Sequence, residues 1–582
     1  MNLITLADDA PAGGAATEEL IPATIVALVI VSAIAAFGVA HRSGKTRALV
    51  RVGEFTGRVL DMPPWAALPS AIARVSLVVA AFGFYADVAS HIDKGRDPGP
   101  FANPFHYFII IGLAGIALAG VVAILLGSEE TSSSFRIRPG WHAPVGGILL
   151  LVCGGIAVMG FPLDDVWHRF FGQDVTLWSP THMQMVGGAV LSTLALWILL
   201  VEGRRAQGRE TDGTSSSMAE WLAAGALLIG LSAFQAEFDY SVPQFRLLYH
   251  PILLMLSAGS ALVLARIRLG RGGALKAVGL FLVLRGVLSI IVGPVLGHTA
   301  LHFPLYLVEA LAVEVVAFRF STQRQLRFGI VAGVAIGTFG LAAEWAWSHV
   351  WMTMEWPRAL LPEAFILGLA AAVSGGVLGG LVGRAFVPTT SERERVPLIA
   401  GIATGVAILF VLAYPFPTSR TDDASASVAL VPAGEDGRYV DATITLHPPD
   451  LADGAEWFNV TSWQGGGSVV DQPEEMEPGT YRTSTPIPAH GDWKALIRLH
   501  RSDAIAAVPI YLPEDSAIPA PEVAAEARFT RPFVVDKSIL LREAKDVSGS
   551  LTYGASAVMC MIAVVWAFAL GWGVHRLQRV RR

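Results

Sequence analysis

The chain has 582 residues, 53% of them hydrophobic and only 15% charged, with a mean hydropathy of +0.54. That balance excludes an ordinary soluble protein and makes the bilayer the first hypothesis. The formal charge of -6 says little about partners, no nucleic-acid surface is suggested, and the two cysteines, Cys153 and Cys560, fall in apolar runs, which argues against a disulfide framework or a thiolate metal site.

The first twenty residues lack a basic region and carry acidic side chains, so they are expected to form an outer N-terminal tail rather than a cleaved signal. Apolar runs long enough to cross a bilayer follow at 21–40, 71–88, 106–127, 144–161, 182–201, 218–236, 248–266, 275–296, 302–318, 328–346, 361–385, 396–414 and 551–574. About thirteen transmembrane helices are therefore expected, twelve of them within 21–415. Loops such as HRSGKTR, EGRRAQGR, RIRLGRGGALK and the basic tail 575–582 alternate with non-basic loops. This pattern predicts a multi-pass plasma-membrane protein with its N-terminus outside and its C-terminus cytoplasmic.

Between the last two spans, residues 416–550 change to a Pro-, Asp-, Thr- and Ser-rich composition. The alternating segments YVDATITL, WFNVTSW, TYRTSTPI, WKALIRL and AAVPIYL predict an extracytoplasmic, immunoglobulin-like β-sandwich inserted before the C-terminal helix 551–574.

The histidines are unevenly distributed. Most lie at the predicted outer ends of spans or in the outer domain, and only His41, His142 and His575 fall on the inner side. Two outer loops share one layout. Asp87 and His91 end one helix, Asp97 follows in a turn, and Pro104 and His106 open the next helix. Asp164, His168, Asp174, Pro180 and His182 repeat the arrangement. An Asp and a His four apart on a helix share a face, and a second imidazole from the facing helix completes a donor set suited to copper, zinc or iron. Asp87, His91, His106, Asp164, His168 and His182 are the candidate metal ligands, with Asp97 and Asp174 beside them.

Further candidates for metal or proton handling are Glu237, Asp239 and His250, laid out as a looser third unit, together with His298, His302, Glu344 and His349. Glu309 and Glu314 lie deeper in an apolar run, where a hydrogen-bonded structural role competes with a proton path. The bland alternative for any single histidine is an interfacial anchor, and the fifteen tryptophans read as an interfacial belt. The glycine-rich run at 374–384 reads as close helix packing.

The second loop resembles the C subunit of particulate methane and ammonia monooxygenases, in which an Asp-x3-His on one helix and a second His after a turn hold a metal. The resemblance implies that Asp164, His168 and His182 are ligands in that order, and it extends to Asp87, His91 and His106. The interval between the two histidines is longer here than in that subunit. The run EEMEPGTYRTSTPIPAHGDWKALIRLHR resembles YtkA/FixH-like and CopC-like sandwiches, although only Met476, His447, His490 and His500 are available there as copper donors.

Three functions follow as expectations. The first is a copper-dependent, monooxygenase-like membrane oxidoreductase subunit that draws electrons from a partner subunit and acts on a small apolar substrate arriving through membrane lipid. The second is a non-catalytic copper acquisition, assembly or transport factor. The third is a lipid-linked transferase with an acidic outer site.

Overall fold

The computed structural model describes residues 14–128, 130–172, 176–209, 217–387, 398–416, 419, 423–434, 438–540, 542–543, 545 and 547–578. The helices are α1 (Thr17–Arg42), α2 (Ala48–Leu60), α3 (Pro64–Lys94), α4 (Pro104–Leu126), α5 (Val145–Phe171), α6 (Pro180–Ala206), α7 (Met218–Ser232), α8 (Ala236–Asp239), α9 (Tyr249–Leu269), α10 (Gly273–Ile290), α11 (Leu307–Arg319), α12 (Gln325–Ala335), α13 (Leu341–Trp351), α14 (Leu361–Phe386), α15 (Leu398–Ala413), α16 (Asp536–Leu540) and α17 (Gly549–Leu577). A π-helical turn at Ile336–Gly340 makes α12 and α13 one continuous rod, and another at Ile291–Val295 extends α10.

Among the described residues, eleven helices are long and apolar enough to cross a membrane. The chain is thus a polytopic helical membrane protein. Among the described residues, two of the thirteen expected spans come out shorter. The run at 302–318 gives helix only from Leu307 to Arg319, because residues 301–306 are non-helical and Tyr306 takes a left-handed conformation at φ 54°, and the run at 396–414 gives Leu398–Ala413. At ~1.5 Å per residue these two reach about 20 and 24 Å, less than a full hydrocarbon core. Large apolar side chains such as Val29, Val75, Val283, Phe318 and Phe568 are exposed around the bundle, as lipid-facing positions should be.

The bundle is centred on α9, where only Leu256 escapes burial. Close approach depends on glycine. A Cβ on Gly120 would lie 2.3 Å from the Leu151 nitrogen, and one on Gly376 would lie 2.2 Å from the Gly329 oxygen, so the 374–384 run does serve tight packing. Buried glutamates act as caps for neighbouring helices. Glu202 accepts from the Val145 and Gly146 amides at the start of α5, and Glu314 accepts from the Gly272 and Ala274 amides at the start of α10. Each places a carboxylate where the helix leaves its first N–H groups unpaired.

A small hairpin, β1 (Phe135–Arg138) with β2 (Trp141–Ala143), joins α4 to α5. After α15 come β3 (Ser425–Ala433), β4 (Tyr439–His447), β5 (Trp457–Trp463), β6 (Ser468–Asp471), β7 (Glu474–Glu477), β8 (Thr480–Arg482), β9 (Ile487–Pro488), β10 (Lys494–Arg501), β11 (Ala504–Tyr511), β12 (Arg528–Pro532) and β13 (Val534–Val535). They form two antiparallel sheets, ordered β13-β11-β10-β5-β6 and β12-β3-β4-β8-β7 with β9 beside β4. The sheets share one apolar core that includes Val428, Ile444, Val460, Ile497 and Val508. The five alternating segments read from the sequence all contribute strands.

This β-domain rests on the end of the bundle that carries the paired Asp/His loops. The turn after β5 reaches the end of α3, where the Gln464 and Gly466 amides donate to the Ile92 and Asp93 carbonyls at 2.9 and 2.8 Å. Arg96, in the following loop, pairs with Asp515 at 3.0 Å and Glu543 at 2.5 Å. The end of α5 is met in the same way, the Lys545 amide donating to the Phe171 carbonyl at 2.9 Å.

Candidate metal centre

The two loops are built alike. Each incoming helix ends on a glycine in the left-handed region, Gly95 at φ 79° after α3 and Gly172 at φ 85° after α5, a conformation that costs glycine little. Each outgoing helix opens with proline at its first position behind a side-chain cap. Asn103 accepts from the Phe105 amide at 2.8 Å, and Ser179 accepts from the His182 amide at 3.3 Å. The histidine two residues after each proline then points back over the loop. His106 Nδ1 meets the Pro100 carbonyl and His182 Nδ1 meets the Thr176 carbonyl, both at 2.7 Å and both six residues upstream.

In the first loop Asp87, His91, Asp97 and His106 converge, and one donor atom from each lies within 4.8 Å of all the others. His91 Nδ1 meets the Gly95 carbonyl at 2.9 Å. Because a carbonyl only accepts, the Nδ1 atoms of His91 and His106 are donors, and in the neutral rings Nε2 carries the free lone pair. The His91 Nε2 atom lies 3.5 Å from Asp87 Oδ1 and 3.4 Å from Asp97 Oδ2; the His106 Nε2 atom lies 3.2 and 3.7 Å from the same oxygens. These separations exceed a charge-assisted hydrogen bond. They match the edges of a tetrahedron of ligands about 2.0–2.1 Å from a central ion, which come to about 3.4 Å. Asn103 Nδ2 donates to Asp87 Oδ1 at 2.7 Å and to Asp97 Oδ2 at 2.9 Å, holding the two carboxylates together from behind. Two carboxylates and a divalent cation would leave the site neutral.

In the second loop His168 Nε2 and His182 Nε2 each stand 3.6 Å from an oxygen of Asp164. Thr181 Oγ1 donates to Asp164 Oδ1, and the buried His168 Nε2 has no hydrogen-bond partner among the described residues. An unpartnered imidazole nitrogen facing a carboxylate fits a metal-ligating role. Asp174, the counterpart of Asp97, lies outside the described residues. The clusters are neighbours: His182 is close enough to act electrostatically on Asp87, and the Phe161 ring, on α5, lies 5.8 Å from that of His106.

The remaining candidates go elsewhere. Glu237, Asp239 and His250 do not form a third unit. Glu237 accepts from Thr176 Oγ1 and the Leu177 amide, bracing the turn that orients His182. Asp239 forms a buried ion pair with Arg285. His250 stacks on Phe238 and its Nδ1 accepts from Trp356 Nε1 at 3.0 Å. Glu344 is a helix cap, accepting from the Leu305 and Tyr306 amides ahead of α11. Its neighbour Glu309 is fully buried with both carboxyl oxygens unpartnered among the described residues. His349 bonds the Trp345 carbonyl of its own helix, and His302 packs on Trp351. His298 Nδ1 meets Asp93 Oδ2 at 2.9 Å, and the same carboxylate accepts from the Thr299 amide.

Sequence reasoning missed Asp93 and Asn103. Asn103 could have been found as the cap before Pro104. Asp93 shows no local signal, because its partners come from a segment two hundred residues later.

Around the loop, partial burial pushes Asp515 up, but the hydrogen bond and charge of Arg96 outweigh it and leave that carboxyl below its ordinary range. At Glu543 burial prevails over the same guanidinium and the carboxyl is raised. In the β-domain, burial pushes His500 down to about 3, which keeps it neutral beneath Trp457. No family model matches the chain, and no curated protein or solved structure is similar to it at a significant level.

Proposed function

We propose that this chain is an integral membrane metalloprotein whose Asp87–His91–Asp97–His106 cluster holds a transition metal, copper foremost, at the outward face of the membrane. The observation that carries the reading is the convergence of four donor atoms within 4.8 Å, with both imidazoles turned Nε2-inward by carbonyls on Nδ1. Imidazole and carboxylate donors suit copper, zinc or iron. The Asp164–His168–His182 set is a second, neighbouring site with three described ligands. The outward orientation rests on the alternation of basic loops.

Such a metal, when bound, supplies Lewis acidity or one-electron chemistry at an open position. The residues themselves bind and orient it: the imidazoles set affinity, the aspartates balance charge, and Asn103 fixes the spacing of the carboxylates. The likeness of the loops to the monooxygenase C subunit supports an oxidoreductase role, with electrons supplied by a partner subunit. A second reading, metal acquisition or assembly without catalysis, is favoured by the β-domain, which is tied to the first metal loop through Arg96 and so stands where it would control entry.

Elemental analysis of the membrane-purified chain tests the proposal. Wild type is expected to hold metal near stoichiometry, with loss in the His91→Ala/His106→Ala double variant and a separate loss in His168→Ala/His182→Ala. Metal content unchanged in both variants, or none bound after reconstitution, refutes it.

A further inference from the structure

Beneath the two clusters the bundle contains a cavity of about 220 Å3 with an almost wholly apolar wall. Its lining continues the helix faces that carry the metal ligands. On α3, Leu77, Ala81 and Phe84 line it, and Asp87 and His91 follow Phe84 by three and seven residues. On α4 the lining begins at Ile109, three residues after His106, and on α6 at Met185, three residues after His182. Positions three, four and seven apart share a helix face, so the cavity starts about one turn below the donors of both sites.

Arg74 is the one charged side chain in the lining, at the end remote from the clusters. It stands ten residues into α3 and ten before Phe84, about 15 Å along the helix in each direction. Its Nε donates to the Ser70 carbonyl at 3.0 Å, and a terminal nitrogen lies 3.4 Å from Ser70 Oγ. Among the described residues no carboxylate pairs with it. An arginine within a membrane span normally finds an anion or reaches the headgroup layer. Here the side chain turns back by only one helical turn and borders the apolar cavity.

We propose that this cavity seats one fatty-acid molecule, its carboxylate on the Arg74 guanidinium and its hydrocarbon chain running between α3, α4, α6 and α7 toward the floor of the Asp/His clusters. A planar guanidinium matches a carboxylate in a two-bond fork. The apolar wall matches the chain, and the volume favours a single tail over the two of a phospholipid. The inference goes beyond metal binding and stands on different residues.

The test is native mass spectrometry of the full-length chain in detergent, titrated with laurate and, separately, with the uncharged dodecanol. Wild type is expected to take up one laurate. Arg74→Gln should weaken uptake at least tenfold, Arg74→Lys should retain most of it, and Ala226→Phe, which fills the cavity from α7, should abolish it. Metal content measured on the same samples should not change, so failure of the metal reading and failure of this one are told apart. Equal laurate uptake by wild type and Arg74→Gln, dodecanol binding as tightly as laurate, or a phospholipid as the ligand that Ala226→Phe displaces would each overturn the proposal. If Arg74→Gln proves aggregated, the contrast between Arg74→Lys and Ala226→Phe decides.

Discussion

Replacing Asn103 by serine separates two jobs held by one side chain. Its Oδ1 caps α4, and its Nδ2 bridges Asp87 and Asp97. Serine is an equally good cap, so the helix start should survive, whereas the bridging donor is lost. The two aspartate oxygens would then be free to move apart, and the tetrahedral spacing of the donors would no longer be enforced. Loss of such an outer-sphere partner weakens metal binding about 10–100-fold, equivalent to about 1.4–2.8 kcal/mol at ~1.4 kcal/mol per decade. Asn103→Ala should lose the same affinity and, in addition, about 1 kcal/mol of stability through the missing cap. Competition against a chromophoric chelator measures the first quantity, and thermal unfolding of the metal-free protein measures the second. Affinity within twofold of wild type in Asn103→Ser, or affinity that falls only in Asn103→Ala, would show that the bridge does not organise the site.

Three further outcomes follow. Arg96→Ala removes both ion pairs that fasten the first Asp/His loop to the β-domain; amides at 95–103 should exchange with deuterium at least about tenfold faster, in line with the about 1.5 kcal/mol or more expected for charged hydrogen bonds, and unchanged protection would mean the turn at Gln464 suffices. Gly120→Leu should be severely destabilising because its Cβ alone would collide with the Leu151 backbone, whereas Gly155→Leu, with nothing within 4 Å, should be tolerated; melting curves of the two variants decide. His500, held at about 3 by burial against about 6.5 in the unfolded chain, makes the unfolded state the better proton acceptor between those values. Its contribution is therefore nil above pH 6.5 and becomes a penalty on acidification, about 2 kcal/mol at pH 5; burial raises the neighbouring Glu456, which works in the opposite direction. The slope of stability between pH 6.5 and 5 should flatten in His500→Phe, and an unaltered slope would assign it to other groups.

Much of the architecture is legible in the sequence because it is written in local patterns. The Asp87–His91 and Asp164–His168 pairs share helix faces by spacing alone, and Pro104 and Pro180 mark where the partner histidines begin their helices. The alternating segments from Tyr439 to Leu512 announce strands in the same way. What the sequence does not show is pairing across helices. Glu237 and Glu344 look like candidate functional carboxylates, but the amides they cap belong to the 176–178 turn and to residues 305–306, far away in the chain. Hydropathy likewise sees the apolar run at 302–318 but not that its first residues are non-helical, with the His302 amide bonded to the Asp239 carbonyl.

The contacts that finish α3 and α5 also bear on the order of assembly during synthesis. The amides that complete the ends of these helices come from Gln464, Gly466 and Lys545, so the first Asp/His loop leaves the ribosome hundreds of residues before its covering turn exists. At ~5–20 residues per second that interval lasts from about twenty seconds to over a minute. During it, the end of α3 with Asp87 and His91 is without the covering turn from the β-domain. Once the β-domain has folded, the same loop lies under it, which makes the newborn chain and the finished protein different targets for anything that delivers an ion.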